Sequence, residues 1–309
     1  MKAKMHKAVL AVVCCAGTAG MVRADSLFNY NVVVTGTLTD SSHIQGRTFV
    51  DNLAVSNQPD FAQSTAAGTG DTLDVAGTVT GNGLTLERGV FRHAGALGFT
   101  PVLNGGSTSV QDSSVSISSL SNQMNSIASL YNSYSATTVT PSGGNLNINA
   151  TGTGVAVFSV NASDLSNSNE NVSVNVGTAS SVIIQVLGSS FTFGSSEHES
   201  ITGSSQQVIW DFVNATMIHL NDSTWNGSIL DPLATLTSPN QNIDGGVYVA
   251  NFNQSAEVHL PTDGNGNPVT PAFNGPVPVP APGILVGVLA LAFGVVSMRG
   301  IRLVNSAIR

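Results

Sequence analysis

Lysine is missing from all but the first seven residues of this 309-residue chain, and cysteine occurs only at positions 14 and 15. Without cysteine, the body of the protein must hold together without disulfides. Charge of either sign is scarce, with Asp, Glu, Lys and Arg at 9% of residues, and aromatic residues stand at 6%. Positive charge is the scarcest. Between Asp25 and Pro282 the basic side chains, histidines apart, are Arg47, Arg88 and Arg92, set against all eighteen carboxylates, a formal charge of −15. Such a surface repels phosphate backbones and anionic headgroups, which argues against nucleic acid or a peripheral membrane face as partner. Catalytic signatures are missing too: there is no Gly-x-Ser-x-Gly elbow, His-Glu-x-x-His pair or Gly-Lys-Ser/Thr phosphate loop. No cofactor is expected, and no catalytic or metal-ligating residue is singled out. A glycosidase built from dispersed carboxylates has no local signature and stays open.

What is present begins with an export signal. Lys2, Lys4 and Lys7 precede an apolar stretch from Ala8 to about Ala19, and Val22 and Ala24 stand three and one before a cleavage point. Residues 1–24 are therefore expected to be removed after Ala24. The residues before Cys14 and Cys15 are Val13 and Cys14, where a lipoprotein signal wants a small residue. At the other end a proline-spaced segment, 271–282, leads into an uncharged apolar run, 283–298, and a basic terminus, 299–309. Sixteen residues at about 1.5 Å each span some 24 Å of a roughly 30 Å hydrocarbon core, and snorkelling by Arg299 and Arg302 extends the reach. Arginines beyond the run predict a single-pass transmembrane helix with the tail inside and the body outside.

The proline motif Val279-Pro280-Ala281-Pro282, the short apolar run and the basic terminus together resemble the PEP-CTERM sorting signal of exopolysaccharide-producing bacteria. That resemblance implies an exosortase as a processing partner. Such signals usually read Val-Pro-Glu-Pro, so Ala281 stands where glutamate is expected, and the anchor is either cleaved or kept.

The body reads as β structure. Short β-branched runs at 30–35, 37–39, 48–50, 53–55, 72–75, 78–80 and 84–86 are separated by turns carrying Gly36, Gly46, Gly77, Gly81 and Gly83. Strands this short and this densely punctuated fit a sandwich or a solenoid, not a parallel α/β sheet with crossover helices. A solenoid accounts better for the polar residues, because alternating strings such as Leu146-Asn147-Ile148-Asn149 and Val172-Ser173-Val174-Asn175 put apolar side chains on a narrow core and uncharged amides and hydroxyls outside. One segment differs. Ile117, Leu120, Met124, Ile127, Leu130 or Tyr131, and Tyr134 recur at spacings of three and four, with no Gly or Pro between Val110 and Thr140, which predicts a helix over about 113–134 packed on the β body.

Further strings resemble the choice-of-anchor A family of bacterial surface proteins. They are Asn31-Val32-Val33-Val34, the Ile44-Gln45-Gly46-Arg47 turn, the segment from Val157 to Leu165, Trp210-Asp211-Phe212-Val213-Asn214-Ala215-Thr216, the segment from Trp225 to Pro232, and the segment from Asn242 to Ala250. In that family an alanine is expected where Asp231 stands. The resemblance covers residues 25–270. It implies a mainly β fold, a right-handed β-solenoid-like domain with one long helix alongside, and a non-enzymatic adhesive function at the cell surface or in a biofilm matrix. The partners it implies are an extracellular polysaccharide or another surface.

Remaining ionisable clusters read as structural. Glu197-His198-Glu199 follows Gly194-Ser195-Ser196 and is expected in a surface loop. His219 and His259 sit in apolar strings and read as strand residues. Asp263-Gly264-Asn265-Gly266-Asn267 starts like a calcium loop, but Pro268 and Asn274 occupy the positions of the glycine and bidentate glutamate, so a turn is expected. Ice binding would need a regular threonine face, of which Thr35-Gly36-Thr37 and Thr78-Val79-Thr80 are the visible fragments.

Overall fold

The computed structural model describes residues 26–65, 70–166, 171–194, 198–221 and 224–278. The signal with Ala24, the motif Val279-Pro280-Ala281-Pro282, the apolar run 283–298 and Arg299 and Arg302 lie outside the described residues. Among the described residues no helix is long and apolar enough to cross a membrane.

The β-branched runs form short strands, and among the described residues every strand pairing is parallel, the antiparallel contacts being two isolated bridges. The longest strands turn corners. Val32–Asp40 pairs with Thr48–Val55 on one side and Val247–Gln254 on the other, and both registers break just after Val34. The runs 30–35 and 37–39 thus belong to one strand bent at Gly36. Space dictates glycine there: a Cβ on Gly36 would sit 2.5 Å from Asn251 Oδ1 and 2.9 Å from the Ala250 carbonyl oxygen. Gly77 repeats the arrangement two coils along, against Asn52 Oδ1 and the Asp51 carbonyl. Each asparagine then accepts a hydrogen bond from the backbone beyond the glycine, Thr37 N to Asn251 and Thr78 N to Asn52, both at 3.0 Å.

Each full coil therefore contributes two strips from its bent strand and a third from a short strand. The third strip runs through Trp225–Asn226, Ile243–Asp244, Val258–His259, His43–Ile44, Asp60–Phe61, Thr85–Leu86 and Val102–Leu103. Asn145–Asn149, Asn171–Asn175 and His198–Thr202 continue that side, joined to it where Asn226 N donates to Glu199. Inside the three-sided tube pack the inward-facing apolar residues of every strip, with Trp225 closely surrounded by Phe191, Phe193, Trp210 and Phe212. This is the mainly β, solenoid-like body expected from the sequence.

The winding is not sequential. The chain starts in the middle of the stack at Val32–Asp40 and winds outward through Thr48–Val55, Asp71–Val75, Val90–His93 and Thr108–Gln111. A helix, α1 (Ser118–Asn132), then carries it back, and winding restarts at the far end with Thr137–Thr138. It proceeds through Val155–Asn161, Ser181–Leu187, Val208–Val213 and Ser228–Ser238 to Val247–Gln254, which closes onto Val32–Asp40. First and last coils meet at a seam stapled by Asn31, which is 1% exposed. Its Nδ2 donates to the carbonyls of Gly245 at 2.7 Å and His259 at 3.0 Å, and its Oδ1 accepts from Gly46 N at 3.1 Å.

Helix α1 is shorter than the 113–134 read from the periodicity. Asp112 Oδ1 accepts from Ser114 N and Oγ, and Ser116 Oγ bonds to Ser118, so the local polar side chains hold 112–117 in turns instead of a first helical turn. Its apolar face, Leu120, Met124, Ile127, Ala128 and Tyr131, covers the first strip, whose outward residues Val33, Tyr248, Leu230, Ile209 and Ile183 are apolar to receive it. Residues 271–278 also pack onto the body: Ala272 and Phe273 are buried, Ala272 N donates to the Phe28 carbonyl at 2.7 Å, and Tyr131 Oη donates to the Pro276 carbonyl at 2.8 Å.

Candidate ligand-binding face

With one strip covered by α1, the outward surface of the other two is what remains for a partner. On the second strip, alternation sends Leu38, Leu53, Phe252, Leu236, Ile218 and Phe191 inward and leaves two outward rows. Register fixes the first row: Thr192, His219, Thr237, Asn253, Thr39, Ala54 and Thr80 stand side by side across seven coils. The second row holds Ser190, Met217, Thr235 and Asn251, then Thr37, Asn52 and Thr78. At about 4.8 Å between strands and about 6.7 Å between alternate residues, the first row spans about 29 Å. Neither row carries an Asp, Glu, Lys or Arg. The strip is a flat, uncharged lattice of hydroxyls, methyls and amides.

Thr35-Gly36-Thr37 divides at the corner, so the pair on this strip is Thr37 and Thr39, whereas Thr78 and Thr80 stay together. Thr235 and Thr237 add a pair and Thr192 a further residue that the sequence offered no reason to place alongside them. Successive coils bring most neighbours of the row together, and the non-sequential winding joins its two halves where Thr39 meets Asn253.

On the third strip the outward residues of one end form an amide and hydroxyl ladder. Asn171 Nδ2 donates to Asn145 Oδ1 at 3.3 Å, and Ser173 Oγ to Asn147 Oδ1 at 2.8 Å. Toward the seam the ladder becomes ionisable. His259 lies between two carboxylates, with Nδ1 2.7 Å from Asp244 Oδ1 and Nε2 2.8 Å from Glu257 Oε2. The bond to Asp244 foremost, with Glu257 assisting, pushes its pKa up to about 9. It is a strand residue, as its apolar string suggested, and its ring nitrogens are both engaged.

The surface-loop reading of Glu197-His198-Glu199 does not survive for the last two residues. His198–Thr202 is a strand, with His198 outward and Glu199 turned in and 8% exposed. Alternation on a strand wins over the flanking glycine and serines. Glu199 Oε2 accepts from Asn226 N at 2.8 Å and Nδ2 at 2.7 Å, and burial pushes its pKa up to about 8. His219 is a strand residue on the first row, its Nε2 2.7 Å from Asn221 Oδ1. Asp263 shapes a turn, accepting from Asn265 N and Asn267 N.

Among the described residues no group of three or more His, Cys, Asp or Glu side chains is placed to hold a metal ion. The larger cavities, each of about 470 Å³, are lined by Tyr30, Arg47 and the 268–272 segment in one case and by α1 and Val277 in the other, with no carboxylate in either. One smaller cavity, of about 150 Å³, does carry a pair, Asp211 and Asp231, beneath α1.

No curated protein matches the sequence. Among solved structures, the chain is similar to an ice-binding protein from the Antarctic ascomycete Antarctomyces psychrotrophicus, at 13% identity and a TM-score of 0.42, over 75% of this chain and 94% of that one. An ice-binding protein from an Antarctic Biological Consortium gives 13% identity and 0.42 over 83% and 93% of the two chains. One from an Antarctic Flavobacteriaceae bacterium gives 10% and 0.30 over 74% and 80%. A family model described as "Putative Ice-binding-like adhesive domain" matches residues 24–260, and the chain belongs to that family.

Proposed function

We propose that this protein is an exported, non-enzymatic adhesive domain that holds an extended, repetitive ligand against the flat Thr and Asn strip of its solenoid. The observation that carries this reading is the uncharged row Thr192, His219, Thr237, Asn253, Thr39, Ala54 and Thr80, continuous across seven coils. The ligand class is extracellular polysaccharide: a lattice of hydroxyls and amides can match sugar hydroxyls along a chain without a pocket, and the absence of lysine keeps phosphate polymers away. Delivery is through the PEP-CTERM-like signal, with Val279-Pro280-Ala281-Pro282 read by an exosortase and the 283–298 apolar run as a membrane anchor, in the manner of choice-of-anchor A proteins. The points where the described body begins and ends support display. Ser26 and the Val277-Pro278 segment both lie beside α1, so a tether continuing from the Val277-Pro278 side leaves the second and third strips free.

Ordered water is the second reading, favoured by the Thr37/Thr39, Thr78/Thr80 and Thr235/Thr237 pairs. Met217, His219, Asn251 and Asn253 interrupt that lattice, and polysaccharide is placed first for that reason. Both readings are tested with the full chain and the variants Thr39→Tyr and Thr237→Tyr, using a panel of matrix polysaccharides and an ice-affinity assay. Polysaccharide binding lost in both variants supports the proposal; uptake into ice lost in both transfers it to the second reading. Binding that survives both substitutions, or no binding to either material, overturns the assignment of this strip.

A further inference from the structure

Asp211 and Asp231 are the part of the molecule that the adhesive reading leaves unused. Asp211 stands on the outward side of the first strip, in the row Val33, Tyr248, Leu230, Asp211 and Gln185 that otherwise receives α1. Asp231 closes the neighbouring corner, where its Oδ1 accepts from Leu233 N at 2.8 Å. Each residue is 1% exposed, and in each the Oδ2 atom is buried without a hydrogen-bond partner. Together they line one side of the 150 Å³ cavity, and the polar flank of α1, Asn125, Ser129 and Asn132, lines the other with Asn214. No basic side chain borders it. The amide nitrogen of Asn125 is used on the Ser121 carbonyl at 2.9 Å, so its Oδ1 is the atom left to accept.

The residues lining this small polar cavity thus carry two buried carboxylate oxygens with neither a hydrogen-bond donor nor a positive partner, an unfavourable state for a buried acceptor. Burial, reinforced by the Asp231 charge, pushes Asp211 well above the usual carboxylate range, and burial pushes Asp231 up to about 7. The remaining donors are carboxamide and hydroxyl oxygens. This is a hard, all-oxygen set without nitrogen or sulfur, which favours calcium over zinc or copper, and magnesium, which gives up its bound waters reluctantly, suits a site built from protein oxygens less well.

We propose that Asp211 and Asp231 bind one Ca²⁺ in the cavity beneath α1, with the cation bridging the two free Oδ2 atoms and tying the helix flank to the corner of the solenoid. Two carboxylates place it in the weak class of extracellular modules, with a Kd on the order of 10⁻⁴–10⁻³ M.

The test is isothermal titration of the chelator-treated full chain with CaCl2, repeated with MgCl2, in the protein as it stands and in Asp211→Asn, Asp231→Asn and Asp263→Asn. Asparagine at 231 keeps the oxygen that accepts from Leu233, so folding is retained. Asp263→Asn removes an exposed carboxylate as a control for diffuse binding to an acidic surface. The expected result is one saturable calcium site, weakened at least tenfold in both Asp211→Asn and Asp231→Asn and unchanged in Asp263→Asn. No saturable site at or below about 1 mM, the upper edge of that class, overturns the proposal. So does a site that both substitutions leave intact.

Discussion

The seam is where the fold is most exposed to a single substitution, because nothing covalent joins the first coil to the last. Asn31 makes three side-chain hydrogen bonds there, to Gly245, His259 and Gly46, and all lie in or beside the buried interior. Asn31→Ala deletes them and strands the Gly245 carbonyl and the Gly46 N–H, while the His259 carbonyl keeps the bond from Gly245 N at 3.3 Å. At about 1 kcal/mol for each net bond, plus part of the cost of the stranded groups, the loss is about 3–4 kcal/mol. For a domain of this size each kcal/mol is worth about 2–4 °C in Tm, so the transition should fall by about 6–15 °C. Asn31→Asp should be worse than alanine at neutral pH, since it turns a carboxylate oxygen toward the Gly245 and His259 carbonyls, and should recover in part as acid protonates it. Asn147→Ala is the control: this exposed residue accepts one bond, from Ser173 Oγ, and its loss should cost under about 0.5 kcal/mol. Scanning calorimetry of the three variants decides the matter. If Asn31→Ala melts within about 2 °C of the unaltered protein, less than the loss of one such bond, the seam is held by strand pairing alone and the reasoning fails.

Other expectations follow from the same geometry. Burial pushes the Glu199 carboxyl from its ordinary 4.5 up to about 8, so its contribution to stability is fully present below about pH 4.5 and is lost as pH rises toward 8. Glu199→Gln should therefore flatten the fall in stability between those pH values, as read by chemical denaturation across the range; an unchanged profile would clear Glu199 of responsibility. Trp225→Ala, which empties a site bounded by Phe191, Phe193, Trp210 and Phe212, should cost about 3–5 kcal/mol in a denaturant titration. Gly36→Val drives a side chain into Asn251 and the Ala250 carbonyl and should cost about 1–3 kcal/mol, measured the same way. Tyr131→Phe loses the bond to the Pro276 carbonyl and should cost about 1 kcal/mol, with faster amide exchange in 271–278 as its local signature.

The alternation of Leu146-Asn147-Ile148-Asn149 and its relatives was enough to identify strands with one wet face, because a period of two is a local property of the chain. The helix stripe from Leu120 to Tyr131 was legible for the same reason, and its early start was misjudged because Asp112 and Ser114 bond to each other instead of capping a helix. Glu199 was misplaced because its neighbours at 194–196 suggested a loop, while the strand that buries it is fixed by pairing with Asn171–Asn175, a distant partner. Of the candidate face only fragments could be read, Thr37 and the pair Thr78 and Thr80. Thr39 meets Asn253 only after the chain has left the middle of the stack, returned along α1 and wound back to meet itself, whereas its pairing with Ala54, like that of Thr237 with His219, depends on the register of successive coils. A solenoid constrains its inward residues strictly and its outward ones hardly at all, so a binding surface on it leaves no motif in the sequence; its composition becomes visible only when the register of every coil is known. That is also why Asp211 and Asp231, twenty residues apart and unremarkable in their strings, come to share one cavity: the outward side of the first strip is the one place where the winding both buries what it exposes and covers it with a polar helix flank.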